Sequence, residues 1–301
     1  MTATLPQVLT LVAAEDGALE PAIVAEVTAA LNDLGGNTAD PVWLAERRAA
    51  DIGFSGTSPE MTAAVRTRLA GRSIDLHAQP AAGRKKRLLL ADMDSTIVTT
   101  ETLDELAAFV GIKAEIAAIT ARAMNGELDF ETALKERVGR LAGLTETTLE
   151  QAYADVELSA GAETMVRTMA AAGARCVLVS GGFRYFTTRV ASRAGFHDDY
   201  ANDFIIEAGK LTGAVRLPIL TKDVKLQTLN AEASTLAISP DMAMAIGDGA
   251  NDLPMIQAAG LGIAYRGKPV VAEAAPARID FGDLTTALFF QGYTRAEFVG
   301  G

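Results

Sequence analysis

Two carboxylates stand two residues apart at the end of an apolar run, Leu88-Leu89-Leu90-Ala91-Asp92-Met93-Asp94-Ser95-Thr96. The run reads as a buried strand, and residues i and i+2 of a strand share a face, so Asp92 and Asp94 look into the same space. In open α/β sheets that space, beyond the carboxyl ends of the strands, is where ligands bind. A carboxylate pair there can bind a divalent cation or divide nucleophilic and acid–base work. Taken alone, it is also what a strand followed by a capped turn contains. A second apolar run ends in the same way, in Ala245-Ile246-Gly247-Asp248-Gly249-Ala250-Asn251-Asp252. Its glycines permit close backbone approach. Two acidic strand ends on one sheet edge repel an anionic substrate unless a cation neutralises them, and carboxylate oxygens suit the hard ion Mg²⁺.

Two further segments could hold an anion. Val179-Ser180-Gly181-Gly182-Phe183 carries an apolar run into small residues ahead of a helix, offering a hydroxyl, backbone N–H groups and a helix N-terminus. Leu220-Thr221-Lys222-Asp223-Val224-Lys225 supplies two lysines, either of which could neutralise a phosphate; read singly, each is a solvated charge.

These residues need a sheet to gather them. The expected strands are Leu88–Asp92, Cys176–Ser180, Ala243–Gly247, Gly262–Tyr265 and Arg278–Phe281. Short apolar strands separated by helices predict an α/β fold, a Rossmann-like doubly wound parallel sheet covered on both faces. More than 80 residues, almost wholly helical in pattern, separate the first strand from Cys176, far beyond a normal crossover. They predict an inserted helical cap over about residues 100–159. Residues 1–80 read differently: strand Val8–Ala13, a helix over Leu19–Leu34, strands Val42–Ala45 and Asp51–Phe54, a helix over Pro59–Leu69 and a strand Ser73–His77. This β-α-β-β-α-β order is ferredoxin-like. It carries no acid, base or metal-ligand cluster and reads as a binding or oligomerisation module, with a homodimer among the assemblies expected. The basic stretch Gln79 to Arg87 reads as a solvated linker, and residues 81–301 as the chemical domain.

Composition narrows the class. The net charge of −11 (27 basic against 38 acidic residues) argues against a nucleic-acid surface, which needs a basic stripe. No run of 18 apolar residues and no basic, apolar leader is seen, so neither a membrane helix nor a signal peptide is expected, and the cytoplasm is the default. Cys176, the single cysteine, is expected to be buried and structural.

In order and spacing, Asp92-x-Asp94-x-Thr96, Ser180, Lys225 and Gly247-Asp248-Gly249-x-Asn251-Asp252 resemble the motifs of the haloacid dehalogenase superfamily of phosphohydrolases. Within it the likeness is to the phosphoserine phosphatase family. Glu101 lies nine residues after Asp92, and Ala123-Met124-Asn125-Gly126-Glu127-Leu128-Asp129-Phe130 is followed by Arg137. The resemblance covers residues 88–281, with no departure at a catalytic position. It implies Mg²⁺-dependent hydrolysis of a small-molecule substrate, L-phosphoserine, to L-serine and phosphate, the last step of serine biosynthesis. Asp92 would be the nucleophile, forming an aspartyl-phosphate, and Asp94 the acid–base partner. The implied metal ligands are the Asp92 carboxylate, the Asp94 backbone carbonyl and Asp248. Ser180, Gly181 and Lys225 would hold the phosphoryl oxygens. Asn251 would contact phosphate or orient its neighbours, and Asp252 would fix Lys225 or the metal's water. In the cap, Glu101 would pair with the substrate ammonium, Arg137 with its carboxylate, and Met124 and Phe130 would exclude water. Residues 1–80 loosely resemble ACT-like regulatory domains. Two alternatives stay open: a phosphotransferase that passes the phosphoryl group to another alcohol such as homoserine, and a serine-sensing regulatory protein.

Overall fold

The structure, a computed structural model, describes residues 5–56, 58–124, 127–221 and 223–300, with the side chains of Ser58 and Met124 left aside. The N-terminal part contains β1 (Gln7–Ala13), α1 (Pro21–Asp33), β2 (Val42–Ala45), β3 (Ala49–Phe54), α2 (Ser58–Arg68) and β4 (Ile74–Pro80). The four strands form an antiparallel sheet in the order β2-β3-β1-β4. β1 is apolar on both faces because it feeds two cores. Leu9, Leu11 and Ala13 pack with Val24, Val27, Leu31 and Val65 of the two helices. Val12 points the other way, into the core of the rest of the chain.

That larger part contains β5 (Leu88–Asp92), then α3 (Thr102–Phe109), α4 (Lys113–Met124), α5 (Phe130–Gly139), α6 (Glu146–Ala154) and α7 (Ala162–Ala171) before the next strand, β6 (Arg175–Phe183). After it come α8 (Arg184–Ala194), β7 (Asp198–Asn202), β8 (Phe204–Glu207), β9 (Lys210–Val215), α9 (Val224–Thr235), β10 (Ala243–Gly247), α10 (Leu253–Ala258), β11 (Leu261–Tyr265), α11 (Pro269–Ala274), β12 (Ala277–Ile279) and α12 (Thr286–Phe290). Six parallel strands form one sheet in the order β12-β11-β10-β5-β6-β7. Alternate residues of the same strands enter different cores. Leu89, Ala91, Cys176, Leu178, Met244 and Ile246 face one side, and Leu88, Leu90, Val177, Val179, Ala243 and Ala245 the other. Burial on both faces is why these strands read as continuous apolar runs.

The expected helical insert is formed by α3 to α6. It leaves and returns through a narrow neck, where Val98 pairs antiparallel with Leu158. There Thr99 N–H donates to Glu157 O at 3.1 Å and Ser159 N–H to Ile97 O at 2.9 Å. Beside the insert lies the antiparallel hairpin β8–β9, where Gly213 (φ +84°) comes so near Ala142 that a Cβ would stand 2.8 Å from the alanine methyl.

Three expectations change. The strand after Cys176 runs on to Phe183, and the last strand is Ala277–Ile279 rather than Arg278–Phe281. β7 and the hairpin were not expected at all. The basic stretch before β5 is no solvated linker. Gln79 and Pro80 belong to β4, and each of the next three cations is fastened. Arg84 reaches Asp51 at 2.7 Å. Lys85 pairs with Glu297 at 2.5 Å and lies over the Tyr293 ring. Lys86, buried, donates to Gly83 O at 3.1 Å and Asp241 O at 2.9 Å. The stretch is a seam between the two sheets. Asp75 of β4 strengthens it, its carboxylate accepting from the backbone N–H groups of Asp280, Phe281 and Gly282 at 2.8, 3.2 and 2.8 Å. No helix among the described residues is long and apolar enough to cross a membrane.

Candidate active site

β10, β5 and β6 are neighbours in the middle of the parallel sheet, and their carboxyl ends bring Asp248, Asp92 and Ser180 together. After Asp92 the chain makes one wide turn over Met93–Ile97, closed by Val98 N–H to Met93 O at 3.0 Å. Ser95 holds φ +55° there, a conformation a non-glycine residue adopts rarely. The turn aims the Asp94 carboxylate away from Asp92. Its Oδ1 accepts from the Thr102 N–H (2.7 Å) and hydroxyl (2.8 Å), and its Oδ2 from the Ser180 hydroxyl (3.0 Å). Ser180 in turn accepts from Gly182 N–H at 2.8 Å.

Lys225, in the first turn of α9, is buried between Asp92 and Asp252, and its Nζ donates to both, to Asp252 at 2.5 Å. The second oxygen of Asp252 accepts from Gly249 N–H at 2.9 Å. A Cβ on Gly247 would collide with the Asp252 carboxylate, so this glycine makes room for it. Asp248 stays nearer the opening, 3.5 Å from the Lys268 ammonium and 3.5 Å from the Thr96 hydroxyl.

Carboxylate oxygens of Asp92, Asp248 and Asp252 lie within 4.8 Å of one another, all buried. Burial raises the Asp92 carboxyl well above its ordinary range, with the Asp252 charge adding to the effect and Lys225 opposing it. Burial also raises Asp94, against the pull of its hydrogen bonds from Thr102 and Ser180, and raises Asp248 against the pull of Lys268. Burial alone would lower Lys225; the charges of Asp92 and Asp252 outweigh it and hold the ammonium protonated. The cluster is thus short of positive charge, and its donors are oxygens, which fits a hard divalent cation. Both oxygens of Asp252 are engaged by Lys225 and Gly249, so Asp92 and Asp248 are the carboxylates with room for one.

A cavity of about 360 Å³ opens above this cluster. Of the twelve residues singled out in the sequence, ten line it: Asp92, Asp94, Glu101, Phe130, Arg137, Ser180, Gly181, Lys225, Asp248 and Asn251. Asp252 lies directly behind Lys225. The side chain of Met124, like the whole of Lys222, lies outside the described residues. Glu101 precedes α3 and takes the Ser95 hydroxyl at 2.9 Å. Phe130 opens α5, after Asp129 caps that helix through Thr132 N–H, and its ring tip lies over Gly181, where a Cβ would stand 3.7 Å away. Arg137, two turns further along the same face of α5, is mostly buried, and its Nε has no hydrogen-bond partner among the described residues. Two polar lining residues outside the quoted motifs were not found by reading the sequence. Thr102, which fixes Asp94, follows Glu101 as an ordinary helix-starting threonine, and Lys268 sits in an unremarked Gly-Lys-Pro turn after β11.

Residues 89–257, more than half of the 301, match the model of the haloacid dehalogenase-like hydrolases. A phosphoserine phosphatase of Streptomyces coelicolor is 40% identical over 253 residues, 83% of this chain and 62% of that protein. One from Streptococcus thermophilus is 44% identical over 199 residues, 66% of this chain and 93% of that protein. The structure of a probable phosphoserine phosphatase from Vibrio cholerae superposes with a TM-score of 0.79 at 28% identity, over 99% of this chain and 90% of that one. The chain spans between 53% and 62% of the length of three of its curated relatives. A parallel sheet with two acidic strand ends, a buried lysine between them and a family match over the same residues lead to one conclusion: the chain belongs to the haloacid dehalogenase-like hydrolases.

Proposed function

We propose that the chain is a Mg²⁺-dependent phosphoserine phosphatase, hydrolysing L-phosphoserine to L-serine and phosphate. The observation that carries the substrate is Arg137. A guanidinium with an orphaned Nε on the wall of the cavity that holds Asp92 is a waiting partner for a carboxylate, whose two oxygens match the planar fork. Glu101 in the same cavity complements an ammonium. The names carried by its relatives support the same reading.

Asp92 attacks phosphorus and becomes an aspartyl-phosphate, a recognised route for carboxylate nucleophiles. Asp94 gives its proton to the departing serine oxygen and then takes one from the attacking water. A carboxyl raised by burial and held in one orientation by Thr102 and Ser180 suits that exchange. Lys225, Ser180 and the N–H groups near Gly181 stabilise the transferring phosphoryl oxygens, electrostatic work that dominates such transfers. Asp92 and Asp248, with the backbone carbonyl of Asp94, would hold Mg²⁺, which supplies charge neutralisation between nucleophile and phosphate. Asp252 holds Lys225 in place, and Asn251 orients phosphate. Phe130, over Gly181, keeps water from the site, a role it shares with Met124. Residues 81–301 form the catalytic domain. Residues 1–80 form a ferredoxin-like, ACT-like regulatory or oligomerisation domain, through which two chains pair as a homodimer. The expected setting is the cytoplasm.

A phosphate-release panel tests the substrate. Phosphoserine should be turned over with kcat/KM about 100-fold above phosphoethanolamine, which lacks the carboxylate, and above sugar phosphates. Equal turnover across the panel would refute phosphoserine as the substrate. Adding homoserine and finding phosphohomoserine in place of phosphate would move the assignment to a phosphotransferase.

A further inference from the structure

We infer that the seam between the two sheets holds a second ligand site, for a small carboxylate anion received by Arg48. A cavity of about 640 Å³ lies there, larger than the one above Asp92. Its walls come from the loop after β1 (Asp16), the turn between β2 and β3 (Arg48), α7 (Thr164) and the chain around α12 (Asp283, Thr285, Arg295). None of these residues lines the cavity above Asp92.

Arg48 is only 6% exposed, yet its guanidinium makes no hydrogen bond among the described residues, and its enclosed Nε is orphaned. The one carboxylate within ion-pair reach, Asp16, stands 3.8 Å away and is already gripped by both terminal nitrogens of Arg295, at 2.7 and 2.6 Å. The main chain of Arg48 is not free to withdraw the guanidinium: Arg48 N–H donates to Ala45 O (3.1 Å), Ala13 N–H donates to Arg48 O (2.9 Å), and the preceding Arg47 is fixed at φ +52° with its carbonyl accepting from Leu19 N–H (2.9 Å). A buried charge held only by one long ion pair, to a carboxylate already gripped by another arginine, is poorly compensated. Held rigidly at the wall of a roomy cavity, its guanidinium is placed to take a further acceptor.

The surroundings select the anion. A guanidinium presents a planar fork that a carboxylate fills with two parallel hydrogen bonds. Asp283 lies in the same cavity, its Oδ1 taken by the N–H (2.9 Å) and hydroxyl of Thr285 and its Oδ2 without a hydrogen bond among the described residues. That carboxylate opposes a dianion such as phosphate more than it opposes a monoanion. A carboxylate bound to Arg48 would join residues of both sheets, so its occupancy is coupled to how firmly the N-terminal part is seated.

The experiment follows the Nε–Hε signal of Arg48 by NMR in arginine-¹⁵N-labelled full-length protein, assigned by its loss in Arg48→Lys. Sodium acetate is titrated against sodium chloride at equal ionic strength, with inorganic phosphate in a separate arm. The expected result is a saturable shift with acetate and none with chloride. Acetate should also raise the unfolding temperature of the wild type but not of Arg48→Met. A signal that ignores acetate, follows chloride equally, or saturates at lower phosphate than acetate overturns the proposal. Should Arg48→Met fail to fold, the wild-type titration decides the matter. Loss of phosphatase activity plays no part in the readout, so this site and the proposed reaction can fail separately.

Discussion

Acidification should loosen the seam through a single histidine. His77 lies on β4, buried, with its ring 5.5 Å from that of Phe290 on α12. Burial, reinforced by the positive charges of Arg66, Lys86 and Arg84, pushes its pKa from 6.5 down to about 4. Between those values the unfolded chain carries a proton at this position that the folded chain refuses, so stability rises with pH. The contribution is fully present above pH 6.5 and is lost as pH falls through about 4. Each pH unit in that window is worth about 1.4 kcal/mol, giving about 3 kcal/mol in total, of which about 2 kcal/mol is gone by pH 5. Asp75, two residues earlier, is raised by burial and so acts in the opposite direction. Comparing wild type with His77→Gln cancels that term and every other carboxylate. Urea midpoints at pH 7.5 and pH 5 should therefore show a wild-type loss about 2 kcal/mol greater than the variant's. Equal losses in the two proteins would mean that His77 is charged, or reached by water, in the folded state.

Asp92→Asn should retain the fold, by circular dichroism, and lose at least about 10³-fold in phosphate release; residual turnover near wild type would remove Asp92 as nucleophile. Arg137→Met should lower kcat/KM for phosphoserine by roughly 30- to 100-fold, the value of about 2 to 3 kcal/mol for a charged hydrogen-bonded pair, and leave phosphoethanolamine turnover untouched; equal loss on both substrates would assign Arg137 to the architecture of the cap. Gly247→Ala should push the Asp252 carboxylate off Lys225 and cut turnover without loss of secondary structure, and full activity would contradict the contact drawn between them. Asp75→Ala leaves three backbone N–H groups at the seam without their acceptor and should cost about 2 to 4 kcal/mol in denaturant unfolding; an unchanged midpoint would show that water replaces the carboxylate.

The acidic cluster was legible because its segments are local. Asp92, Asp94, Asp248 and Asp252 follow strands buried on both faces, and such strands announce themselves as apolar runs whatever their partners. β7 gave no such signal: Asp198-Asp199-Tyr200-Ala201-Asn202 is an edge strand whose Asp199 is satisfied by the Thr187 and Thr188 hydroxyls of α8. The seam was hidden for another reason. Arg84, Lys85 and Lys86 look solvated in sequence because the groups that hold them, Asp51, Glu297 and the Asp241 carbonyl, lie tens to hundreds of positions away. Arg48 is silent for the same reason: only the fold reveals a guanidinium enclosed without a hydrogen bond among the described residues.

The neck at Val98 and Leu158 has a consequence for how such a fold diversifies. The acidic cluster and Lys225 belong to the sheet and α9, whereas Glu101, Phe130 and Arg137, with the Thr102 that holds Asp94, belong to the stretch that departs and returns through that paired crossing. The stretch is therefore a cassette, with one entry and one exit side by side. Exchanging residues 99–157 for a foreign insert of matching ends would leave Asp92, Asp248 and Lys225 where they are. Recombination there needs two junctions, about one hydrogen-bonded step apart, and an insert that keeps the Thr102 hold on Asp94 and the contacts of residues 143–146 with the β8–β9 hairpin.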